Sequence, residues 1–517
     1  MKKILYISIF LLVPCLLSAA GKSEAIFNVL SKTYTLNEDG SQSLRVRKEI
    51  KVLSHVAFRS MYGETFVTYN PLSQDVKINE SYTRQSDGTI IKTPENAFVE
   101  VLPSAAAGAP AYNHLKELVI IHTGLEIGAT IYLDYTLNTK AGYYDALDIY
   151  ATVQELSPIT KYTLQINVPA DKPLHYELIN GNVKPTVKTA NGMKQVTWSM
   201  SNLPCVTRRD VTPAAGKLQV IVANTYSDKQ AAIQTLFKHS PLDADKTVKG
   251  KAEELTKGLT GEAKEEAIDN YVKGLGNCAL NLDMTGFRLR TPAEIIQSAY
   301  GSNDEKLILK AALRKACQLP VNLAVRTIQT TDENASGLSN SILVDTKDPV
   351  QVNLTSFYAF NDPEGNKLEL KADASPLEIS ETLRLSEVKA TEEHDSFAFY
   401  SIAQPTKGIK AALSRLLPMG TKPLSNILLP YLPNETYTTK IIVKDGQEIV
   451  ATPANKKVSN KYGIVSIETT KNTEGVTVVR HLALTQQVVK AEEYALFYEL
   501  VKVWNDPAST TVITRTK

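Results

Sequence analysis

Residues 299–316 read AYGSNDEKLILKAALRKA, and this stretch decides the fold. Leu309, Ala312, Leu313 and Ala316 fall at i, i+3, i+4 and i+7, one apolar face of a helix running from about Asp304 to Cys317. Asn303 reads as its N-cap, since a short side-chain oxygen there can accept a hydrogen bond from an unpaired N–H of the first turn. Asp304 and Glu305 suit the positive end of that helix. On the N-terminal side, Thr291-Pro292 opens a further helix, with Thr as cap and Pro in the first turn, where no N–H is needed. From Asp243 to Leu275 the chain is rich in Lys, Glu, Ala and Leu and predicts two helices, broken near Gly258 and Gly261, with Thr260 a plausible cap. On the C-terminal side, Val321, Leu323 and Val325 alternate as a strand. Helices followed by strands predict an α+β middle region.

The flanks read differently. Leu44, Val46, Ile50 and Val52 alternate with Arg45, Arg47 and Lys51, which predicts a strand with one buried and one wet face. Tyr162 to Val168 alternates likewise, and so do Leu218, Val220 and Val222. Asp39-Gly40, Asp87-Gly88 and Asn191-Gly192 mark turns between such runs. Many short strands predict a large antiparallel β sandwich over about 25–228. Strands return at 439–444, 463–469 and 476–484, after a proline-rich approach. A final helix carries Phe497, Leu500, Val501 and Trp504 on one face, closing a small C-terminal β domain. Residues 409–429 predict no definite element.

The chain has 517 residues, too many for one core, and three domains are expected. Hydrophobic content is 43%, charged content 22% and formal net charge +2, with no block of like charge, so nucleic acid is not an expected partner. Lys2 and Lys3, the apolar run Ile4 to Leu17, and Ser18-Ala19-Ala20 read as a secretory signal. Cys15 raises a lipoprotein alternative, although Leu-Val-Pro before it suits lipid attachment poorly. No later run is apolar enough to span a membrane, so the mature chain is expected to be exported, to the periplasm or cell surface. Cys205, Cys278 and Cys317 are too few for a disulfide framework. They read as buried thiols, with a Cys278–Cys317 bridge the other possibility. The expected division is 1–20 signal peptide, 21–235 β sandwich, 236–394 middle region and 395–517 C-terminal domain.

Tyr300, Gly301, Lys306, Leu309, Leu313 and Arg314 resemble the active-site segment of bacterial transglutaminase-like domains, which reads Y-G-D-C-x-D-K before an apolar helix. SDGTIIKTPENAF (86–98), GLEIGATIYLDYTL (124–137) and LSPITKYTLQINVP (156–169) resemble the uncharacterised β domain that precedes such cores in Gram-negative envelope proteins. The resemblance implies a papain-like α+β core. It also implies a cysteine at the helix N-terminus, a histidine on a following strand and an aspartate that orients it.

The implied triad is degenerate. Asn303 stands at the nucleophile position, and an amide is no nucleophile at neutral pH. None of the seven histidines lies between His239 and His394. In GLSNSILVDT (337–346), Asn340 or Ser341 stands where the histidine would be. Asp373, in LELKADASP (368–376), holds the acid position and reads instead as capping a turn through Ser375. Ser302 and Glu305 replace two further aspartates. No catalytic residue, cofactor or metal is therefore expected. Cys278 is the candidate nucleophile of a rival enzyme, whereas Cys317 lies at the C-terminal end of the helix, where the dipole disfavours thiolate.

No H-E-x-x-H, C-x-x-C, phosphate-binding glycine loop or Gly-x-Ser-x-Gly elbow is present. Glu392-Glu393-His394 reads as charged surface. Asp145 and Asp148 cannot be assigned as paired catalytic acids without geometry. Tyr143, Tyr144 and Tyr150 read as packed, with an exposed platform the alternative. The expectation is an exported, non-catalytic protein that binds an extended peptide, an envelope protein or a cell-wall fragment in the old cleft. The alternatives are a cysteine peptidase or amide transferase, and a structural spacer whose cleft is filled by side chains.

Overall fold

Alternation of apolar and polar residues starts the chain on a hairpin, β1 (Ala25–Leu36) and β2 (Gln42–Val52), in a computed structural model describing residues 23–206, 214–240, 242–348, 354–370, 377–402, 423, 426–429 and 431–516. The hairpin turns at Asp39-Gly40, where Gly40 takes φ 83° and the Asp39 carboxylate accepts from Ser41 N at 2.9 Å. There follow β3 (Glu64–Tyr69), β4 (Gln74–Arg84), β5 (Ile90–Lys92), β6 (Phe98–Val101), β7 (Lys116–Ile121) and β8 (Thr130–Thr139). The region closes with β9 (Asp148–Thr152), β10 (Ile159–Pro169), β11 (His175–Ile179), β12 (Thr186–Ala190), β13 (Met193–Leu203) and β14 (Val220–Asn224).

Eight of these strands form one sheet in the order β12-β13-β10-β1-β2-β8-β4-β5. The expected class is borne out, with one departure: β1 pairs with β10 in parallel, so the sheet is mixed. The chain leaves the sheet after β8, runs through β9 in the second layer, and re-enters at the free edge of β1. Two three-stranded sheets, β11-β14-β9 and β3-β7-β6, cover the same face side by side. One packs on Phe27, Tyr162, Leu164 and Trp198, the other on Leu133. Each fully buried Leu or Ile of this core contributes about 2 kcal/mol. Lys48 shares the inner face with Val46 and Ile50. It donates to Thr65 Oγ1 at 2.6 Å, and burial pushes its pKa down to about 8.

The alternation expected around Val220 and Val222 does not leave a wet face. All five residues of β14 are buried. Ile221 and Ala223 face the sandwich, while Val220 and Val222 pack against Ile328 and Ala335 of the middle region. One strand thus serves two cores.

The middle region comprises α1 (Ala214–Lys217), α2 (Lys229–Lys238), α3 (Lys246–Thr256), α4 (Glu262–Gly274), β15 (Gly276–Asn277), α5 (Pro292–Ser298), β16 (Tyr300–Gly301) and α6 (Asn303–Ala316). Its sheet of β17 (Leu323–Ile328), β18 (Ile342–Asp345) and β19 (Tyr358–Asn361) is antiparallel, with β17 in the centre. Thr291 caps α5, as its sequence predicts, and Glu294 completes a full capping box with it. Gly261, rather than Thr260, occupies the N-cap of α4, with φ 53°, a backbone region that glycine enters without strain. Helix α6 is central. Leu309, Ala312 and Leu313 pack towards α3 and α4, while Ile308 and Ala311 pack towards α2 and the sheet.

The C-terminal sheets draw in residues 377–394, which a division at 395 leaves to the middle region. They contain β20 (Leu377–Arg384), β21 (Glu392–His394), β22 (Phe397–Ser401), β23 (Ile427–Leu428), β24 (Asn434–Ile442), β25 (Gln447–Ala451), β26 (Lys456–Asn460), β27 (Gly463–Asn472), β28 (Gly475–Leu484) and β29 (Val488–Val489), then α7 (Tyr494–Asn505) and β30 (Thr511–Thr516). Sheets β20-β24-β28-β27-β26 and β21-β22-β30-β25 pack face to face. Helix α7 covers the rest of the five-stranded sheet with Phe497, Leu500, Val501 and Trp504, the face its sequence predicts. Glu392 to His394 form an exposed edge strand. Residues 1–22, with the expected signal peptide, lie outside the described residues. Among the described residues no helix is long and apolar enough to cross a membrane.

Candidate functional site

The first turn of α6 is where the sequence points, and its cap is one residue earlier than expected. Ser302, in extended conformation, accepts from Glu305 N through Oγ at 3.2 Å, and Glu305 Oε2 accepts from Ser302 N at 2.8 Å. This reciprocal box corrects the assignment of Asn303, which is already helical and points outward as an exposed residue.

Glu305 is fully buried because an arginine meets it. Arg290 Nε donates to Oε1 at 2.7 Å and Arg290 Nη2 to Oε2 at 2.9 Å, a bidentate pair. Tyr112 Oη adds a third bond to Oε1 at 2.5 Å. Burial pushes the Glu305 carboxyl up, but the bonds from Arg290 and Tyr112 outweigh it and hold the group below its ordinary value. The guanidinium lies over the rings of Tyr300, at 4.4 Å, and Tyr112, at 5.4 Å.

Asp304 ties the next strand to the same turn. Its Oδ1 accepts from Leu343 N in β18 at 2.7 Å, and burial pushes its pKa up to about 6. So the segment in which sequence comparison seeks a histidine does arrive beside the helix N-terminus. Asn340 and Ser341 lie in the loop before β18. Asn340 is exposed, has φ 60°, and donates its N–H to Asp283 at 3.2 Å. Ser341 is buried and its hydroxyl has no hydrogen-bond partner. Asp373 and Ser375 lie outside the described residues.

The N-terminal sandwich reaches over this turn. Ala106, Ala109, Tyr112 and Leu115, between β6 and β7, pack on Leu280 with Cys278, Met284 and Tyr300 at the margin. Ala279 N donates to Ala105 O at 3.1 Å and Ala111 N to Tyr300 Oη at 2.9 Å. Sequence reading missed this contact. The run PSAAAGAPAYNHL (103–115) has no strand or helix period, and its small residues and tyrosine are the signal that close packing against another unit would leave.

Cys205, Cys278 and Cys317, the cysteines among the described residues, are free. Cys278 N donates to Gly301 O at 3.2 Å, and burial pushes its thiol pKa up, with Glu305 adding to the effect. That is the reverse of an activated thiolate. Cys317 is the C-cap of α6, with its sulfur 3.7 Å from the Thr256 hydroxyl.

A cavity of about 340 Å³ opens where the sandwich meets the middle region. Asp148, at the start of β9, accepts from Leu338 N at 2.6 Å and Ser339 N at 3.1 Å, so a sandwich carboxylate fixes the loop that carries Asn340. A Cβ at residue 337 would come within 2.3 Å of Asp148 Oδ2, so a side chain in place of Gly337 would displace that carboxylate. Asp283 holds Asn340 from the other side. Burial first, then Asp148, pushes its pKa up to about 6. Tyr144 and Tyr150 line the cavity half-buried, while Tyr143 packs edge-on against Tyr144 and beneath Arg288. Asp145 is separate from Asp148 in role, bonding His239 at 2.8 Å.

Residues 38–207 match DUF3857, a domain of unknown function with a solved structure, and residues 407–514 match a second such family, DUF3858. A crystal structure from Parabacteroides distasonis, named a "putative protease", is 32% identical over 95% of this chain and 99% of its own, with a TM-score of 0.75. The chain belongs to that protein's family. An M1 zinc metallopeptidase from Deinococcus radiodurans aligns at 11% identity over 40% of this chain and 43% of its own, and its TM-score of 0.20 carries no argument. No curated protein matches the chain.

Proposed function

We propose that this is an exported, non-catalytic protein with a transglutaminase-like core, working at the periplasm or cell surface by binding an extended peptide, an envelope protein or a cell-wall fragment. The observation that carries the reading is the first turn of α6. Asn303 offers no nucleophile, and Glu305 is consumed in a buried pair with Arg290 and Tyr112. The thiol in the neighbourhood, Cys278, is pushed towards its neutral form. The helix, the adjoining strand and their cap remain well formed, which fits a scaffold kept for binding after its chemistry is gone.

A second reading is a cysteine peptidase or amide transferase acting through Cys278; the name of the relative from Parabacteroides distasonis, a "putative protease", favours its proteolytic form. The two separate in one experiment. The purified protein is incubated with mixed peptides and analysed by mass spectrometry, with and without thiol blockade. The non-catalytic reading expects neither an acyl adduct on the protein nor thiol-dependent cleavage. A covalent adduct at Cys278, or products that vanish on blockade, would establish the enzyme instead.

A further inference from the structure

The cavity between sandwich and middle region carries charge of one sign. Its ionisable acids are Asp148 and Asp283, and among the described residues no lysine, arginine or histidine lines it. Lys229 acts on Asp148 through space, but its ammonium donates to Thr327 Oγ1 at 2.8 Å and Ser336 O at 2.6 Å. Asp148 accepts from Leu338 N and Ser339 N and Asp283 from Asn340 N, and an ionised carboxylate has about four acceptor positions. Tyr34, Tyr144, Tyr150 and Phe287 contribute aromatic wall. The volume, about 340 Å³, falls in the range of small-molecule sites.

We propose that this cavity binds a cationic group, an ammonium or guanidinium carried by a small amine or by a lysine or arginine side chain of a peptide. A cation there gains charge-assisted hydrogen bonds from two carboxylates supplied by different units of the chain, and ring faces to lie against. An anion would meet two like charges with no counter-charge in the wall. A neutral ligand would leave the half-buried acids without the partner that best offsets their desolvation. The proposal goes beyond the non-catalytic reading and does not depend on it, since nothing in it touches Cys278.

The test is calorimetric titration of the full mature chain with cadaverine as a free amine, Nα-acetyl-lysine amide as a peptide-like cation, and Nα-acetyl-norleucine amide as the uncharged counterpart. At least one cationic probe is expected to bind and the norleucine probe is not. Which cation binds identifies the source. Asp283→Asn is expected to weaken binding about tenfold or more. Leu44→Trp fills the cavity from the sheet side and is expected to abolish binding. Circular dichroism checks each variant, and if one fails to fold the other decides. Equal binding of the norleucine probe, no binding of either cation, or full binding by folded Leu44→Trp protein overturns the proposal. These readouts involve no turnover, so discovery of an enzymatic activity would leave them unchanged.

Discussion

Glu305 and Arg290 form the side-chain contact on which most of the site rests. Replacing Glu305 by alanine leaves a guanidinium buried without its counter-charge, and the expected cost is about 3–5 kcal/mol, read as a lowered urea midpoint. Midpoints within error of the parent protein would mean that the pair is not buried as described. The sequence marks Glu305 as an acid suited to a helix start, and that much is legible. Its burial is not, because Arg290 lies in the loop before α5 and Tyr112 in another unit altogether. The cap was missed by one residue for a local reason. Ser302 and Asn303 are both good N-cap residues, and what separates them is the S-x-x-E spacing of Ser302 and Glu305, a signal present in the sequence.

At the scale of helix α6, that distinction becomes measurable. Ser302→Ala removes the cap and is expected to destabilise the protein by about 1 kcal/mol. Asn303→Ala, at an exposed helical position, is expected to stay within about 0.5 kcal/mol of the parent. The reverse ranking would restore Asn303 as the cap. The same turn holds two acids with opposite shifts. Asp304 faces Leu343 N, Glu305 and Arg326, and its pKa is raised from 3.8 to about 6. Its contribution is full below 3.8 and is lost as pH rises through about 6. Glu305 is lowered from 4.5, so its contribution is present above 4.5 and is lost as pH falls through its folded value. Stability from this turn is therefore expected to peak at or just below about 4.5, where the Glu305 contribution is complete, and to fall between about 4.5 and 6 as the Asp304 contribution is lost. Urea midpoints across that range should show it, and Asp304→Asn should flatten the decline on the alkaline side. Helix α6 itself was legible from the i, i+3, i+4, i+7 spacing. Its second buried side, carrying Ile308 and Ala311, was not, since a helix wedged between two cores obeys no single stripe.

Across the whole molecule, periodicity predicted the β, α+β, β order and the closing helix α7, because each element buries one face in a layer close to it in sequence. What it could not predict are the joints: β14 buried on both faces, Asp148 holding residues 338 and 339, and Tyr112 reaching Glu305. These joints imply that the middle region does not stand alone. Ala146 and Tyr226 sit in the same core as Leu282 and Ile308. A fragment of residues 236–394 is expected to show no cooperative thermal transition by circular dichroism, while the full chain does. A fragment that melts cooperatively would show that the joints are accessory. The central claim, a core kept without its chemistry, meets its most direct test in alkylation of Cys278 by iodoacetamide, followed by mass spectrometry across pH. The account predicts slow labelling at neutral pH that accelerates only above the ordinary thiol pKa of about 9. Rapid labelling at neutral pH, with a midpoint well below that value, would reveal an activated thiolate and contradict it.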